Sequence, residues 1–220
     1  MHCLVTAGPT FENLDQVRRL TNFSTGGLGL ELARCLRQAG HSVTLLLGEG
    51  ATVAAPAELG ALRFSTTDHL AQRLREQSSV PVDAVFHVAA VSDFRFGKVW
   101  EREPGGELRE LRSGKLSTRQ GTLLAELVPT PKLIGQLRLW FPQARLVGWK
   151  YEADGGRDQV LARAAEQVKE CRTDACVANG PAYGAGFGWY QAQGDARHLA
   201  DRAALLTFLT EWLGQSQNKS

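Results

Sequence analysis

No apolar run in this sequence approaches the roughly 20 residues that a membrane-crossing helix requires, so such a helix is excluded. The first residues also lack a basic stretch followed by an apolar one. Met1-His2-Cys3-Leu4-Val5 passes straight into a strand-like segment, and a cytoplasmic location is expected. Cysteine is scarce and scattered: Cys3, Cys35, Cys171 and Cys176 form no C-x-x-C pair, and no histidines cluster. Neither a zinc site nor a disulfide framework is suggested; no metal-ligating residues are assigned, and buried, inert thiols are expected. An excess of one charge is lacking too. The formal net charge is +2, too small for a general electrostatic hold on nucleic acid or a membrane surface, and neither partner is expected. There is no internal repeat, no low-complexity linker, and no Ser/His/Asp or Cys/His set of catalytic appearance. What remains is an ordinary globular composition, with a length of 220 residues that suits one α/β domain. A single domain over residues 1–214 is expected, with a frayed polar tail at 215–220.

The most informative stretch is the first thirty residues. Leu4-Val5-Thr6-Ala7 runs into Gly8-Pro9-Thr10, and Asn22-Phe23-Ser24-Thr25-Gly26-Gly27-Leu28-Gly29 then opens a helix. Glycines let backbone approach an anion, and the free N–H groups and positive dipole end of the helix attract it, so a phosphate-bearing ligand is expected. A dinucleotide turn would place G-x-G-x-x-G directly after the first strand. Here about a dozen residues intervene, and the charged excursion Phe11 to Thr21 brings side chains as well as backbone to the site.

Short apolar runs alternate with longer amphipathic ones. Strands are expected at Leu4–Ala7, Ser42–Leu47, Ala61–Ser65, Ala84–Ala89, Arg145–Trp149 and Ala175–Ala178, which points to a parallel sheet. Leu28, Leu32, Ala33 and Leu36 form a helical stripe closed by Gly40. Leu70 and Leu74 form another after Thr67-Asp68, read as the N-cap. Past Asp93 the rhythm breaks: residues 94–130 carry no helical stripe and read as an extended arm of two segments, which must pack on the body or on a second subunit. Helices are expected from Thr130-Pro131 to Trp140, from Gly156-Arg157-Asp158 to Cys171, and from Asp201 to Leu213. Gly180 to Gly188 reads as a flexible connection after the last buried strand. The fold class is a Rossmann-like three-layer α/β domain with a mainly parallel sheet and an extended antiparallel arm.

Four separated blocks resemble the phosphopantothenate–cysteine ligase family. They are Val5 to Thr10, Asp15 to Gly26, Ala89-Ala90-Val91-Ser92-Asp93-Phe94, and Gly114-Lys115-Leu116 with Val128-Pro129 later. Val147 to Glu152 and Asp174 to Asn179 add weaker likeness. The resemblance implies a homodimer joined through the arm. It also implies amide formation between the carboxylate of 4′-phosphopantothenate and the amino group of L-cysteine, by way of an acyl-nucleotide, in coenzyme A biosynthesis. CTP or ATP would be the co-substrate with Mg2+, and no flavin is expected. Such chemistry needs cations and N–H donors more than a nucleophile.

By the same resemblance Asn22 holds the acyl-nucleotide and Lys115 follows the moving negative charge, the two catalytic assignments. Gly8, Thr10, Ser24, Thr25, Gly26, Gly27, Asp93 and Trp149 bind the nucleotide; Arg18, Ala89 and Ala90 bind the acyl substrate. From local sequence alone, Asn22 reads first as an N-cap or turn residue, Asp93 equally as a cap of the next turn and Lys115 as solvated surface, and Arg19 competes with Arg18. The chain departs from the family at Gly27, where a Lys or Arg is usual, and near Gln167 and Cys171, where bacterial members carry lysines. Two other readings stay open: an NAD(P)-binding Rossmann oxidoreductase and a non-catalytic nucleotide-binding relative.

Overall fold

The computed structural model describes residues 1–111, 115–117, 121–192 and 196–214; Gly114 and the tail expected at 215–220 lie outside them. In chain order the elements are β1 (His2–Ala7), β2 (Phe11–Asn13), β3 (Arg19–Thr21), α1 (Gly27–Gln38), β4 (Ser42–Gly48), β5 (Leu62–Phe64), α2 (Thr67–Gln77), β6 (Ala84–His87), β7 (Phe94–Arg102), β8 (Leu108–Leu111), β9 (Thr122–Pro129), α3 (Leu137–Trp140), β10 (Arg145–Tyr151), α4 (Arg157–Cys171), β11 (Ala175–Asn179), β12 (Phe187–Gln191), β13 (Arg197–Leu199) and α5 (Arg202–Gly214).

An eight-stranded sheet in the order β13-β12-β11-β10-β6-β1-β4-β5 forms the centre. The strands from β5 to β11 pair in parallel. β12 and β13 close the far edge antiparallel. Strands buried on both faces must be apolar on both, and β1 is: Cys3, Val5 and Ala7 join the core under α1 and α5, while Leu4 joins the one under α2 and α3. A third cluster packs α4 through Val160, Ala164 and Val168 onto Cys176 and Ala178 of β11. The helices thus cover both faces of the sheet in a Rossmann-like arrangement, with a change of direction between β1 and β6.

The helices rest on the expected stripes. Leu32, Ala33 and Leu36 of α1 are fully buried, each leucine contributing about 1.5–3 kcal/mol by burial. Thr66, not Thr67, caps α2, its hydroxyl accepting the N–H of His69 at 3.2 Å. Thr67 has turned inward, where its own N–H donates to Glu12. The helix expected from Thr130 begins instead with a 3-10 turn, Leu133–Gln136, and α3 is four residues long.

Three elements differ from the sequence reading. The excursion after β1 is a hairpin, β2–β3. The arm has three strands, with β7 between β8 and β9, so each arm strand has a ladder partner. β7 is bulged between Phe96 and Val99, and it packs on β2. Finally, the connection expected over Gly180 to Gly188 ends at Gly186: Phe187 and Gly188 already belong to β12, which pairs with β11 from Ala178↔Gly188 to Ala175↔Gln191. Glycine is needed at Gly180, where φ is 114° and a Cβ would stand 2.3 Å from the Glu152 carbonyl oxygen.

Candidate functional site

Loops leave the carboxyl ends of β1, β6, β10 and β11 on the same side of the sheet, and a cavity of about 760 Å³ opens there. Open α/β sheets place their ligands at this edge, where the strand order reverses. Gly26 caps α1 at φ 82°, and its carbonyl accepts from Leu30 at 3.1 Å. Gly29 packs α1 on β1, because a Cβ at Gly29 would come within 2.5 Å of the Ala7 Cβ. The hydroxyl of Thr25 accepts the N–H of Gly27 at 3.2 Å. The amino end of α1 therefore faces the cavity with backbone donors and no charged side chain of its own.

The second wall follows β6. Ala90 N–H donates to the Gly8 carbonyl at 3.0 Å, and the Ala90 carbonyl accepts from Thr10 at 3.1 Å, so the loops after β1 and β6 run side by side. Asn22 spans them, its Nδ2 donating to the Val91 carbonyl at 3.1 Å. Asp93 pairs with Lys132 at the rim. Two further lining cations are also partnered, Lys150 with Glu152 at 3.3 Å and Arg202 with Glu31 at 3.0 Å.

Of the residues assigned from sequence, Gly8, Asn22, Ser24, Thr25, Gly26, Gly27, Ala89, Ala90, Asp93 and Trp149 line this cavity. Thr10 does not: it is fully buried behind the wall, where its hydroxyl accepts from Ser92 N–H at 2.8 Å and donates to Ser92 Oγ at 3.1 Å. Arg18 and Lys115 are not among its lining residues either. Asp15 takes the Arg18 Nε at 3.0 Å, and Arg18 Nη2 donates to the Leu116 carbonyl at 2.6 Å. That guanidinium, with backbone N–H groups in support, holds the Asp15 carboxyl well below the usual carboxylate range.

Sequence reasoning passed over His87, Lys132, Lys150, Phe187 and Arg202, which line the cavity as well. His87 is the clearest omission. It is 6% exposed, and burial pushes its pKa down to about 4. A histidine ending an otherwise apolar strand, two residues before Ala89-Ala90, was the available signal. Trp149 faces the core under α1 and α5, and its indole N–H is out of solvent with no hydrogen-bond partner among the described residues. The four cysteines are free, and burial pushes the thiols of Cys3 and Cys176 up to about 12, so these two are inert. Among the described residues no group of three or more His, Cys, Asp or Glu could hold a metal ion, and no helix is long and apolar enough to cross a membrane.

A doubly wound sheet with a glycine-lined helix terminus at its switch point defines a Rossmann-like α/β protein. The family model of the DNA/pantothenate metabolism flavoprotein C-terminal domain matches residues 1–200, and the chain belongs to that family. Among curated proteins it is similar to the coenzyme A biosynthesis bifunctional protein CoaBC of Thermococcus kodakarensis, with 30% identity over 177 residues, covering 80% of this chain and 40% of that protein. The CoaBC of Mycobacterium tuberculosis H37Rv is 31% identical over 190 residues, covering 84% and 43%. The chain thus spans about two fifths of the length of these relatives. Among solved structures, the DNA/pantothenate metabolism flavoprotein from Streptococcus pneumoniae superposes with a TM-score of 0.87 at 24% identity, covering 98% of this chain and 99% of that one. A Cab2 mutant in complex with phosphopantothenate-cysteine gives 0.71 at 18% identity, covering 99% and 89%. At such identities the two structures share the fold.

Proposed function

We propose that the chain is a nucleoside-triphosphate-dependent ligase that joins 4′-phosphopantothenate to L-cysteine. The observation that carries this reading is the meeting, in one cavity, of the α1 amino end, the Asn22 carboxamide and the strand end Ala89 to Asp93, in a member of this family. The carboxylate attacks the α-phosphorus of CTP or ATP, expelling pyrophosphate and forming an acyl-nucleotide. The amine of cysteine then attacks the acyl carbon, a C–N bond forms, the nucleoside monophosphate leaves, and the amine's proton is lost to solvent.

The chain's own task is to bind, orient and neutralise. The N–H groups of the first turn of α1 beyond Gly27, whose own N–H is taken by Thr25, receive the phosphates, aided by the helix dipole. Asn22 offers a neutral donor and an acceptor to the acyl-phosphate, which fits both the entering carboxylate and the departing nucleotide. Ala89 and Ala90 leave room for substrate against the backbone. Magnesium would arrive on the triphosphate and supply charge neutralisation, with Asp93 as the carboxylate of the lining that reaches it.

Arg18 and Lys115 lie outside the lining of their own cavity, which favours a homodimer in which they serve the neighbouring copy's site. Phe94, Leu108 and Leu127 expose apolar surface along the arm, and Phe23 does so beside Asn22. A guanidinium fork at Arg18 suits a phosphate, and the ammonium of Lys115 suits a charge that moves during the reaction.

The test is pyrophosphate release by purified protein with magnesium, 4′-phosphopantothenate and cysteine, run with CTP and with ATP and repeated with Asn22→Asp. Release that requires phosphopantothenate supports the reading and names the nucleotide, and an acyl-nucleotide accumulating in the variant supports the role of Asn22. Folded protein that releases no pyrophosphate with either nucleotide overturns it.

A further inference from the structure

One buried polar group at the cavity has no part in the steps above. Thr6, His87, Gly148 and Cys176 are register partners on four adjacent strands, on the face covered by α2, α3 and α4. Thr6 Oγ1 accepts the N–H of Ala89 at 3.1 Å and lies 3.0 Å from His87 Nδ1, to which its own proton can be given. With Nδ1 accepting that hydrogen bond, the neutral ring carries its own proton on Nε2, on the edge turned away from Thr6. Burial, which disfavours the imidazolium, acts in the same direction.

Gly148 makes room beside this ring. A Cβ there would lie 2.5 Å from both Gln167 Nε2 and Ile134 Cδ1, so the missing side chain lets α4 bring an amide against the strand next to His87. Gln167 Nε2 donates to Cys176 Sγ at 3.2 Å, which leaves Oε1 as the amide's acceptor. His87, Gln167 and Ile134 all line the cavity.

We propose that His87 Nε2–H and Gln167 Oε1 form a donor–acceptor pair that reads the base of the bound nucleotide, through a ring nitrogen beside an exocyclic amino group. Cytosine and adenine share that edge. The proposal rests on the nucleotide-dependent reading above. An uncharged pair suits an uncharged edge, whereas the anionic phosphates belong at the α1 amino end on the other face of the sheet. Ile134 supplies an aliphatic surface for the flat of a ring. The amide of the acyl substrate, which carries one donor and one acceptor on opposite sides, is the competing occupant.

The experiment is calorimetric titration of wild type, His87→Phe, His87→Gln and Gln167→Leu with CTP, ATP and inorganic tripolyphosphate, all with magnesium, alongside the KM for phosphopantothenate. His87→Phe is expected to weaken the better-bound nucleotide about tenfold while leaving tripolyphosphate unchanged. His87→Gln, which keeps a donor, recovers most of the loss, and Gln167→Leu gives the same split from a position outside the sheet. Equal weakening of tripolyphosphate, unchanged nucleotide affinity, or a rise confined to the phosphopantothenate KM each overturns the base contact in an enzyme that is otherwise active. Wild-type protein that binds neither nucleotide overturns the ligase reading and this one together.

Discussion

The backbone N–H of Leu116 donates to Asp15 Oδ2 at 3.1 Å, across 101 positions of sequence. The same carboxylate accepts the N–H groups of Val17 and Arg18 at 2.9 and 2.8 Å and the guanidinium of Arg18. One acid therefore ties the loop after β1 to the segment that carries Lys115, and fixes the Arg18 guanidinium against the backbone of that segment.

Replacing Asp15 with Asn should leave the sheet intact but loosen this junction. Misplacing Arg18 and Lys115 is expected to lower kcat/KM for phosphopantothenate on the order of 10- to 100-fold. The carboxyl's folded-state pKa lies below its unfolded value, so its contribution to stability is present above the ordinary carboxylate pKa near 4 and is lost as pH falls below it. Urea midpoints of wild type should therefore drop on acidification from pH 5 toward pH 2 more than those of Asp15→Asn; parallel curves would contradict this.

His87 gives a second pH dependence. Its folded pKa of about 4 is depressed from 6.5, so its neutral form is favoured in the native state. The associated stability is complete above pH 6.5 and is lost progressively as pH falls from 6.5 through about 4. Unfolding free energies measured across that window should fall for wild type and stay flatter for His87→Phe.

Gly29→Ala should destabilise through overpacking of α1 on β1, by about 1–3 kcal/mol, since the new methyl would collide with Ala7 and with the Thr6 carbonyl. Gly26→Ala adds the cost of a left-handed residue, about 1–2 kcal/mol, at φ 82°. Chemical denaturation measures both. Stability equal to wild type at Gly29 would show that α1 can shift away from β1.

If the arm joins two copies, Leu127→Asp placed on its exposed face should shift the protein toward monomer in sedimentation velocity, because a charge at an apolar contact is left desolvated and unpaired. Activity should fall with it, since Arg18 and Lys115 would lose the neighbouring site. A monomeric wild type would rule out the shared arrangement.

Much of the fold could be read from the chain. The six parallel strands, α1, α4 and α5 follow from runs whose period of burial is set by local geometry: each apolar stripe has to face a sheet. The arm was harder, because Phe94 to Arg102 carries five charged or glycine positions among its nine residues and has no clean alternation. Its strand character comes from ladders on both sides, with β8 and β9. β12 was masked in the same way by glycines, which suit a strand passing close to Tyr183 and Leu161.

The sequence by itself determined the alternating α/β order, the glycine-lined start of α1 and the membership of a family, because those depend on local dihedral preference, stripe periodicity and motif order. Only the tertiary structure decided which side chains share a wall. The order β1-β6-β10-β11 sets Thr6, His87, Gly148 and Cys176 in one row, and Gly148 admits Gln167 there. It also sent Thr10 into the core and left Arg18 and Lys115 outside the cavity lining. The reason is physical: neighbours across a parallel sheet are separated by whole crossover helices in the chain, so no local pattern encodes their contact.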